Sequence, residues 1–160
     1  MTTLVRHAMT EAPKTLSPAM SANDAAGIMA NFDVGVVPVA EGDRLIGLVT
    51  DRDLVTRVLA TRKDPESVEL GDIATTSVVQ VSPDMELAEA RDLMAAHRVR
   101  RLPVMKDDRL VGILSLGDVA LAAASKRAIG EALEDVSGSE RTRELDPGPA
   151  RGTPARPSSD

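Results

Sequence analysis

The sequence predicts a mixed α/β (α+β) protein made of two tandem copies of one β-α-β-β-α repeat. Three observations lead to this prediction. The segment of residues 5–57 recurs without a gap further along the chain, short β-branched runs alternate with helix-patterned segments, and a polar composition after about residue 134 marks the end of the folded part.

The internal repeat has a period of 65 residues, which is the distance between Pro38 and Pro103. Both prolines stand in a run that ends in Pro-Val, at residues 34–39 and 99–104. The same shift superposes further pairs of identical residues: Ser17 and Ser82, Met29 and Met94, Gly47 and Gly112, and Asp53 and Asp118. A period of this length indicates a duplicated domain, because the repeats of solenoid proteins span about 20–45 residues.

Each copy is predicted to open with a short segment (residues 5–10 and 70–75) and an extended stretch (14–16 and 78–81) that a Ser-Pro dipeptide closes. A helix follows, because small and apolar residues fall near positions i, i+3, i+4 and i+7. These residues are Ala22, Ala25, Ala26 and Met29 in the first copy, and Leu87, Ala90, Leu93 and Met94 in the second.

A β-hairpin and a second helix are predicted to complete each copy. The two strands of each hairpin (34–39 with 45–49, and 99–104 with 110–114) are joined by a short polar turn, so they should pair antiparallel. The closing helices carry apolar residues at helical spacing: Leu54, Val55, Val58 and Leu59 in the first copy, and Val119, Ala120, Ala123 and Ala124 in the second.

These elements define the predicted domain boundaries. The first domain covers residues 5–60, a polar linker covers 61–69, the second domain covers 70–125, and a helical extension covers 126–136. Residues 137–160 are rich in Ser, Gly, Pro, Arg and Glu, so we expect a disordered tail there. A chain of 160 residues stabilises two separate cores only marginally, so the halves should pack on each other or the protein should oligomerise.

The composition excludes several functional classes. A net charge of −6 and a pI near 5.0 argue against general binding to nucleic acid or to an anionic membrane. Phe32 is the single aromatic residue, so a flat ligand would have to be held by aliphatic side chains and backbone. The absence of cysteine excludes disulfides and thiolate chemistry, and no signal or membrane segment is recognisable. We therefore expect a cytoplasmic protein.

The candidate site is a motif that occurs once in each copy, at residues 47–53 and 112–118. It reads Gly, two apolar residues, a hydroxyl residue, two variable residues and Asp. The hydroxyl residue, Thr50 or Ser115, stands where a strand enters a helix, and a helix N-terminus favours a phosphate. The aspartate, Asp53 or Asp118, lies one helical turn later on the same side, where its carboxylate can accept both hydroxyls of a ribose.

Helix capping is the alternative role for these residues, since Ser and Thr are common N-caps and an acidic residue suits the first turn. The occurrence of the same types at the same spacing in both copies favours a ligand. Catalysis is not predicted, because His7 and His97 are not equivalent in the repeat and lack a metal-ligand spacing. No catalytic residue, metal ligand or catalytic cofactor is assigned, and neither a P-loop nor a dinucleotide fingerprint occurs.

The order Ser-Pro, helix, Val-Arg-Arg-Leu-Pro-Val, Arg-Leu-Val-Gly-Ile-Leu-Ser-x-x-Asp resembles the cystathionine-β-synthase-type (CBS) domain. Two copies in tandem resemble a Bateman module, and the resemblance covers about residues 5–125. It implies a pseudo-twofold pair with two clefts between the copies, which binds AMP, ADP, ATP or S-adenosylmethionine and regulates rather than catalyses. It further implies a homodimer, whose arrangement responds to the ligand and is read by an unidentified protein partner.

The resemblance also implies roles for individual residues. Asp53 and Asp118 would hold ribose, Thr50 and Ser115 would hold phosphate, and Arg101, with Arg100 beside it, would reach the phosphate from the strand before Pro-Val. The first copy departs from the family pattern, because Gly35 and Val36 stand at the positions of the two arginines. We therefore expect unequal clefts, with the cleft of Asp118, Ser115 and Arg101 the stronger.

The adenine is expected against residues 14–16 and 34–37, which adds Thr15 and Val34 to the candidate site, or against residues 78–81 and Val99. Two alternatives stay open at this point. The arginines can be solvated residues at a strand edge, and the chain can be a ligand-free module for protein interaction or dimerisation in which the motifs only cap helices.

Overall fold

The computed structural model describes residues 2–144 and divides the chain into two units. The first unit, Met1–Ala122, holds both copies of the repeat. The second unit begins at Ala123, and the part of it that is described, up to residue 144, belongs to the helix that begins at Leu116. No helix within residues 2–144 combines the length and the apolar character that a membrane crossing requires.

The predicted helices and hairpin of the first copy are confirmed, with bounds that differ by one or two residues. Its elements are a 3₁₀ turn (Val5–His7), β1 (Thr10–Glu11), α1 (Ala22–Phe32), β2 (Val36–Glu41), β3 (Arg44–Thr50) and α2 (Asp51–Leu54), which continues as a π-helical turn (Val55–Leu59).

The second copy repeats this order. Its elements are α3 (Leu70–Ile73), α4 (Leu87–His97), β4 (Arg101–Lys106), β5 (Arg109–Ser115) and α5 (Leu116–Glu144). Each hairpin is antiparallel, as predicted, and the equivalent residues Pro38 and Pro103 lie opposite Leu48 and Ile113.

The predicted extended stretches 14–16 and 78–81 are not full strands. Only Leu16 and Val81 pair, each through a single parallel bridge to Val39 or Val104 of the same copy. In both copies the pairing ends before the Ser-Pro dipeptide, because proline has no backbone N–H to continue a ladder. The first β element of the second copy is likewise reduced to one bridging residue, Thr75.

The N-terminal segments of the two copies are exchanged. Strand β1 pairs with β5 of the second copy, with Thr10 opposite Ile113. Thr75, the equivalent of Thr10, pairs with Leu48 of the first copy, and two backbone hydrogen bonds of 2.9 and 3.0 Å join these residues. Each hairpin is therefore extended at one edge by chain from the other copy.

The exchange extends to the two hydrophobic cores. Leu70 and Ile73, from the second repeat, are buried among α1, β2 and β3 of the first copy. Val5, from the first repeat, is buried in the core of the second copy, which includes Leu102 and Leu114. Neither repeat completes a core from its own sequence, which explains physically how a chain of this size holds two cores.

Helix α1 shows how the local sequence sets the helix ends. Ser21 is the N-cap, and its hydroxyl accepts the backbone N–H of Asp24 at 3.1 Å. The Ser21 N–H donates to the Asp24 carboxylate at 2.9 Å, and this bond holds the pKa of Asp24 below its ordinary value. The helix ends at Asp33 in the left-handed conformation, with φ of 51°.

The predicted boundary of the tail is wrong. Helix α5 runs to Glu144, so it contains the predicted extension 126–136 and also residues 137–144, which we expected to be disordered. Glu and Arg are good helix formers, and the first helix-breaking proline of this region is Pro147. Residues 145–160 of the predicted tail lie outside the described residues.

The exchanged segment passes close to strand β3, which explains why position 47 is a glycine and supports a prediction about stability. A Cβ atom on Gly47 would lie 2.5 Å from the carbonyl oxygen of Thr75, whereas a Cβ atom on Gly27 would have no neighbour within 4 Å. We expect Gly47→Ala to lower the free energy of unfolding by about 1–3 kcal/mol through overpacking. Gly27→Ala, in the exposed middle of α1, should instead raise it by roughly 0.5–1 kcal/mol. Urea denaturation of both variants measures the difference, and equal effects would contradict the close contact.

Candidate functional site

The hydroxyl and carboxylate residues of the motif meet at the same strand-to-helix corner in both copies. The Asp53 N–H donates to the Thr50 hydroxyl at 3.2 Å, and the Thr50 N–H donates to Oδ2 of Asp53 at 2.9 Å. In the second copy the corresponding bonds join Asp118 and Ser115 at 3.1 and 2.8 Å. Both corners are therefore capping boxes, as the capping alternative requires.

The capping bonds leave hydrogen-bonding capacity for a ligand. A hydroxyl that accepts a backbone N–H keeps its own proton to donate, and a carboxylate has roughly four lone-pair positions. Oδ1 of Asp53 takes no part in the cap and lies 3.7 Å from Nε of Arg57. The Asp53 side chain is 15% exposed, so it is held in place yet accessible. Capping and ligand binding are thus compatible at these corners.

Each corner borders a cleft that the other copy closes. The cleft of Ser115 and Asp118, called here the Ser115 cleft, has a volume of about 580 Å³. Its opposite wall is residues 32–36 of the first copy, and Arg101 and Lys14 also line it.

The second cleft, called here the Thr50 cleft, contains Thr50 and Asp53 and has a volume of about 560 Å³. Its opposite wall is residues 97–101 of the second copy. Ligand pockets in proteins commonly measure roughly 300–1,000 Å³, so both clefts have room for a small molecule.

The two clefts are built from equivalent parts. The walls 32–36 and 97–101 are related by the 65-residue period, and so are the segments 10–14 and 75–79 that complete the linings. Because the N-terminal segments are exchanged, each segment lies beside the corner of the other copy. Two equivalent clefts between two repeats in one unit define a paired module.

Comparison with known proteins identifies this architecture. The family model for the CBS domain matches residues 5–60 and 70–125. The chain belongs to the CBS-domain family. CBS pairs of this kind are generally regulatory modules.

Relatives and solved structures agree with this assignment. The chain is 38% identical over 133 residues to the CBS domain-containing protein YhcV of Bacillus subtilis, covering 83% of this chain and 94% of that protein. It is 39% identical to hypoxic response protein 1 of Mycobacterium tuberculosis, over 60% of this chain and 68% of that protein. The crystal structure of a hexameric CBS-CP12 protein from bloom-forming cyanobacteria superposes with a TM-score of 0.69 at 28% identity, covering 75% of this chain and 67% of that one.

The CBS pair distributes the predicted site residues over both clefts. Asp118, Ser115, Arg101 and Val34 line the Ser115 cleft. Asp53, Thr50, Arg100 and, again, Arg101 line the Thr50 cleft, together with Val78, Val79 and Val99 of the alternative adenine wall. Thr15 lines neither of these clefts. Its neighbour Lys14 lines the Ser115 cleft, together with Ala12 and Pro13.

The two neighbouring arginines differ in the clefts that they line. Arg100 lines the Thr50 cleft. Arg101 is half-buried and lines both clefts. Its guanidinium occupies the space beside Gly35, where a Cβ atom would overlap Nη2 of Arg101. The small residue in the first copy therefore makes room for the arginine of the second.

Several residues of the clefts were not predicted as site residues. Phe32 lines the Ser115 cleft with 51% of its surface exposed, and Nζ of Lys14 lies 5.3 Å from its ring centroid. His97 and Arg98 stand at the equivalent wall of the Thr50 cleft. The internal repeat was the sequence signal that could have identified these residues, because positions 32–33 align with positions 97–98. Within residues 2–134, whose side chains the structure describes, no cluster of three or more His, Asp or Glu side chains suited to a metal ion occurs.

Proposed function

We propose that this CBS pair is a regulatory module that binds an adenosine ligand, namely AMP, ADP, ATP or S-adenosylmethionine, and does not catalyse a reaction. One observation carries the proposal: in both copies a capped carboxylate and hydroxyl face a cleft whose other wall comes from the partner repeat. The fold would then place ligand groups against both repeats at once. A cytoplasmic location, expected from the composition, is part of this proposal.

The chemistry of the corners suits a nucleoside phosphate. The carboxylate of Asp118 or Asp53 would accept the two ribose hydroxyls, because an ionised carboxylate can only accept hydrogen bonds. The hydroxyl of Ser115 or Thr50 and the guanidinium of Arg101 would donate to phosphate oxygens, and bonds between charged groups are the stronger ones. The apolar surface of Val34, or of Val79 in the other cleft, would contact the adenine.

Regulation would arise from linkage between ligand and conformation. A ligand that contacts both repeats favours the arrangement in which both walls are in place, and it shifts the population toward that arrangement. Self-association into a homodimer would transmit this change to a protein partner. The related hexameric structure and the exposed apolar side chains of Leu59 and Leu121, which are 61% and 69% exposed, support association.

A thermal melting screen tests the proposal. The chain is heated with AMP, ADP, ATP or S-adenosylmethionine at millimolar concentration. A ligand present at 100 times its Kd stabilises the native state by about 2.7 kcal/mol. Because each kcal/mol shifts the Tm of a domain of this size by about 2–4 °C, at least one of these compounds should raise the Tm by several degrees.

A double variant provides the control for this screen. Asp53→Asn and Asp118→Asn together keep a side-chain oxygen for the capping bonds but remove the negative charge that would hold the ribose. We expect this variant to fold and to lose the ligand-induced shift. If no adenosine compound at millimolar concentration shifts the Tm of the wild type, the corners only cap helices and the chain is a ligand-free interaction module.

A further inference from the structure

We propose that the two clefts divide the ligands by charge. The Thr50 cleft selects adenosine ligands with two or more phosphates, whereas the Ser115 cleft takes an adenosine ligand with at most one. This inference rests on the proposed function and adds to it the ligand class of each cleft.

The walls opposite the two corners carry different charges at equivalent positions. The wall of the Ser115 cleft reads Phe-Asp-Val-Gly-Val at residues 32–36, with one negative charge and no positive one. The wall of the Thr50 cleft reads His-Arg-Val-Arg-Arg at residues 97–101, with three arginines. Only the central valine is shared, and the two walls differ in charge at three of the other four positions.

The remaining lining residues do not cancel this difference. In the Thr50 cleft Arg52 joins the three wall arginines, and two acidic residues, Asp51 and Asp53, also line it. In the Ser115 cleft Lys14 and Arg101 are matched by Asp33 and Asp118. Because Arg101 lines both clefts, counting it only for the Ser115 cleft still leaves the Thr50 cleft one positive charge in excess. Each further phosphate adds negative charge to a nucleotide, and only the Thr50 cleft has an excess of positive charge to neutralise it.

The backbone at Arg98 has the same conformation as at its equivalent in the first copy. Arg98 ends helix α4 in the left-handed conformation, with φ of 54°, and its equivalent Asp33 ends α1 with φ of 51°. Gly, Asn and Asp adopt this conformation readily, whereas a long side chain such as arginine is disfavoured there. Arg62 adopts the same conformation without lining either cleft, so the role of Arg98 rests on its place in the wall and on its charge.

The Ser115 cleft has a feature that suits a ligand of low charge. Phe32, whose side chain is half exposed, presents ring surface at the wall position where the Thr50 cleft has His97. An aromatic ring binds a nucleobase by stacking, and this contact does not depend on the number of phosphates. Because Lys14 and Arg101 only match Asp33 and Asp118 in number, this cleft has no excess positive charge to neutralise further phosphates.

The test replaces the second wall with the residues of the first. Arg98→Asp with Arg100→Gly installs the first copy's residues at both positions, and calorimetric titration measures ATP, ADP and AMP. We expect the affinity for ATP and ADP to fall at least tenfold, while the AMP affinity of the Ser115 cleft changes less than about twofold. In the wild type, raising the salt concentration should weaken ATP binding more than AMP binding, because exposed charges are screened.

A matched control exists elsewhere in the chain. Arg62 is also exposed and also left-handed, with φ of 57°, but it lines neither cleft. Arg62→Asp makes the same chemical change in the same backbone conformation and should leave ATP binding unchanged. Aspartate suits this conformation better than arginine, so the Tm of Arg62→Asp and of Arg98→Asp should not fall. A loss of ATP binding with an unchanged Tm then reflects lost contacts and not unfolding.

The possible outcomes separate this inference from the proposed function. If ATP and AMP affinities fall equally in the wall variant, or if Asp118→Asn abolishes ATP binding while Asp53→Asn does not, the division by charge is wrong although an adenosine ligand binds. If no adenosine compound binds the wild type at millimolar concentration, the proposed function fails and the inference fails with it.

Discussion

Leu70→Ala should lower the free energy of unfolding by about 2–5 kcal/mol, the usual cost of a cavity at a buried leucine. Leu70 is fully buried, with 0% of its surface exposed, and it packs in the core of the first copy although it belongs to the second repeat. Urea denaturation measures the change. Amide hydrogen exchange should also accelerate more in α1 than in α4, because the cavity forms beside α1.

An exposed leucine provides the control for this prediction. Leu116→Ala is the same substitution at a side chain that is 44% exposed, and it should cost less than about 1 kcal/mol. If Leu70→Ala proves equally mild, or if exchange accelerates mainly in α4, the exchange of N-terminal segments between the copies is wrong. The predicted pattern would show that a substitution in one repeat weakens the core of the other.

Asp118→Ala should weaken binding of AMP in the Ser115 cleft by about 10–100-fold. This range corresponds to the roughly 1.5–3 kcal/mol that a hydrogen bond to a charged group contributes. Titration calorimetry with AMP should show this loss, while binding of ATP in the Thr50 cleft persists. Asp53→Ala is the matched variant, because its carboxylate makes the same capping bonds in the other copy.

The two variants together separate ligand binding from capping. Both remove an equivalent capping bond, so both should lower the Tm of the free protein by a similar amount. Only the ligand-binding role predicts that each variant loses a different site. If Asp118→Ala binds AMP and Asp53→Ala binds ATP as tightly as the wild type does, the carboxylates act as caps alone.

Much of the fold could be predicted because its signals are local or periodic. The helical spacing of Ala22, Ala25 and Met29 and the short turns of both hairpins depend on residues close in sequence. The corners could be predicted for the same reason, since Thr50 and Asp53 are three residues apart. The end of α5 was missed because the prediction relied on the lack of apolar residues, whereas helix-forming Glu and Arg continue the helix to Glu144.

The composition of the clefts could be predicted only in part. Asp118 and Ser115 were found from their motif, but Phe32 and Arg98 belong to no recognisable motif. Phe32 lines the cleft of Ser115, which is 83 residues later in the chain, and Arg98 lines the cleft of Thr50, which is 48 residues earlier. Whether Arg100 lines one cleft or the other depends on the backbone conformation at the start of β4. A pattern of residue types does not specify that conformation.

The sequence by itself determined the duplication, the order of helices and strands in each copy, and the pairing of a hydroxyl with a carboxylate at each corner. Only the tertiary structure decided that the N-terminal segments cross to the other copy and that each corner faces a wall of the other repeat. The physical reason is that the two repeats present nearly equivalent surfaces. A segment such as 5–10 can satisfy its backbone and bury Val5 on either copy, and the choice depends on packing across the whole unit.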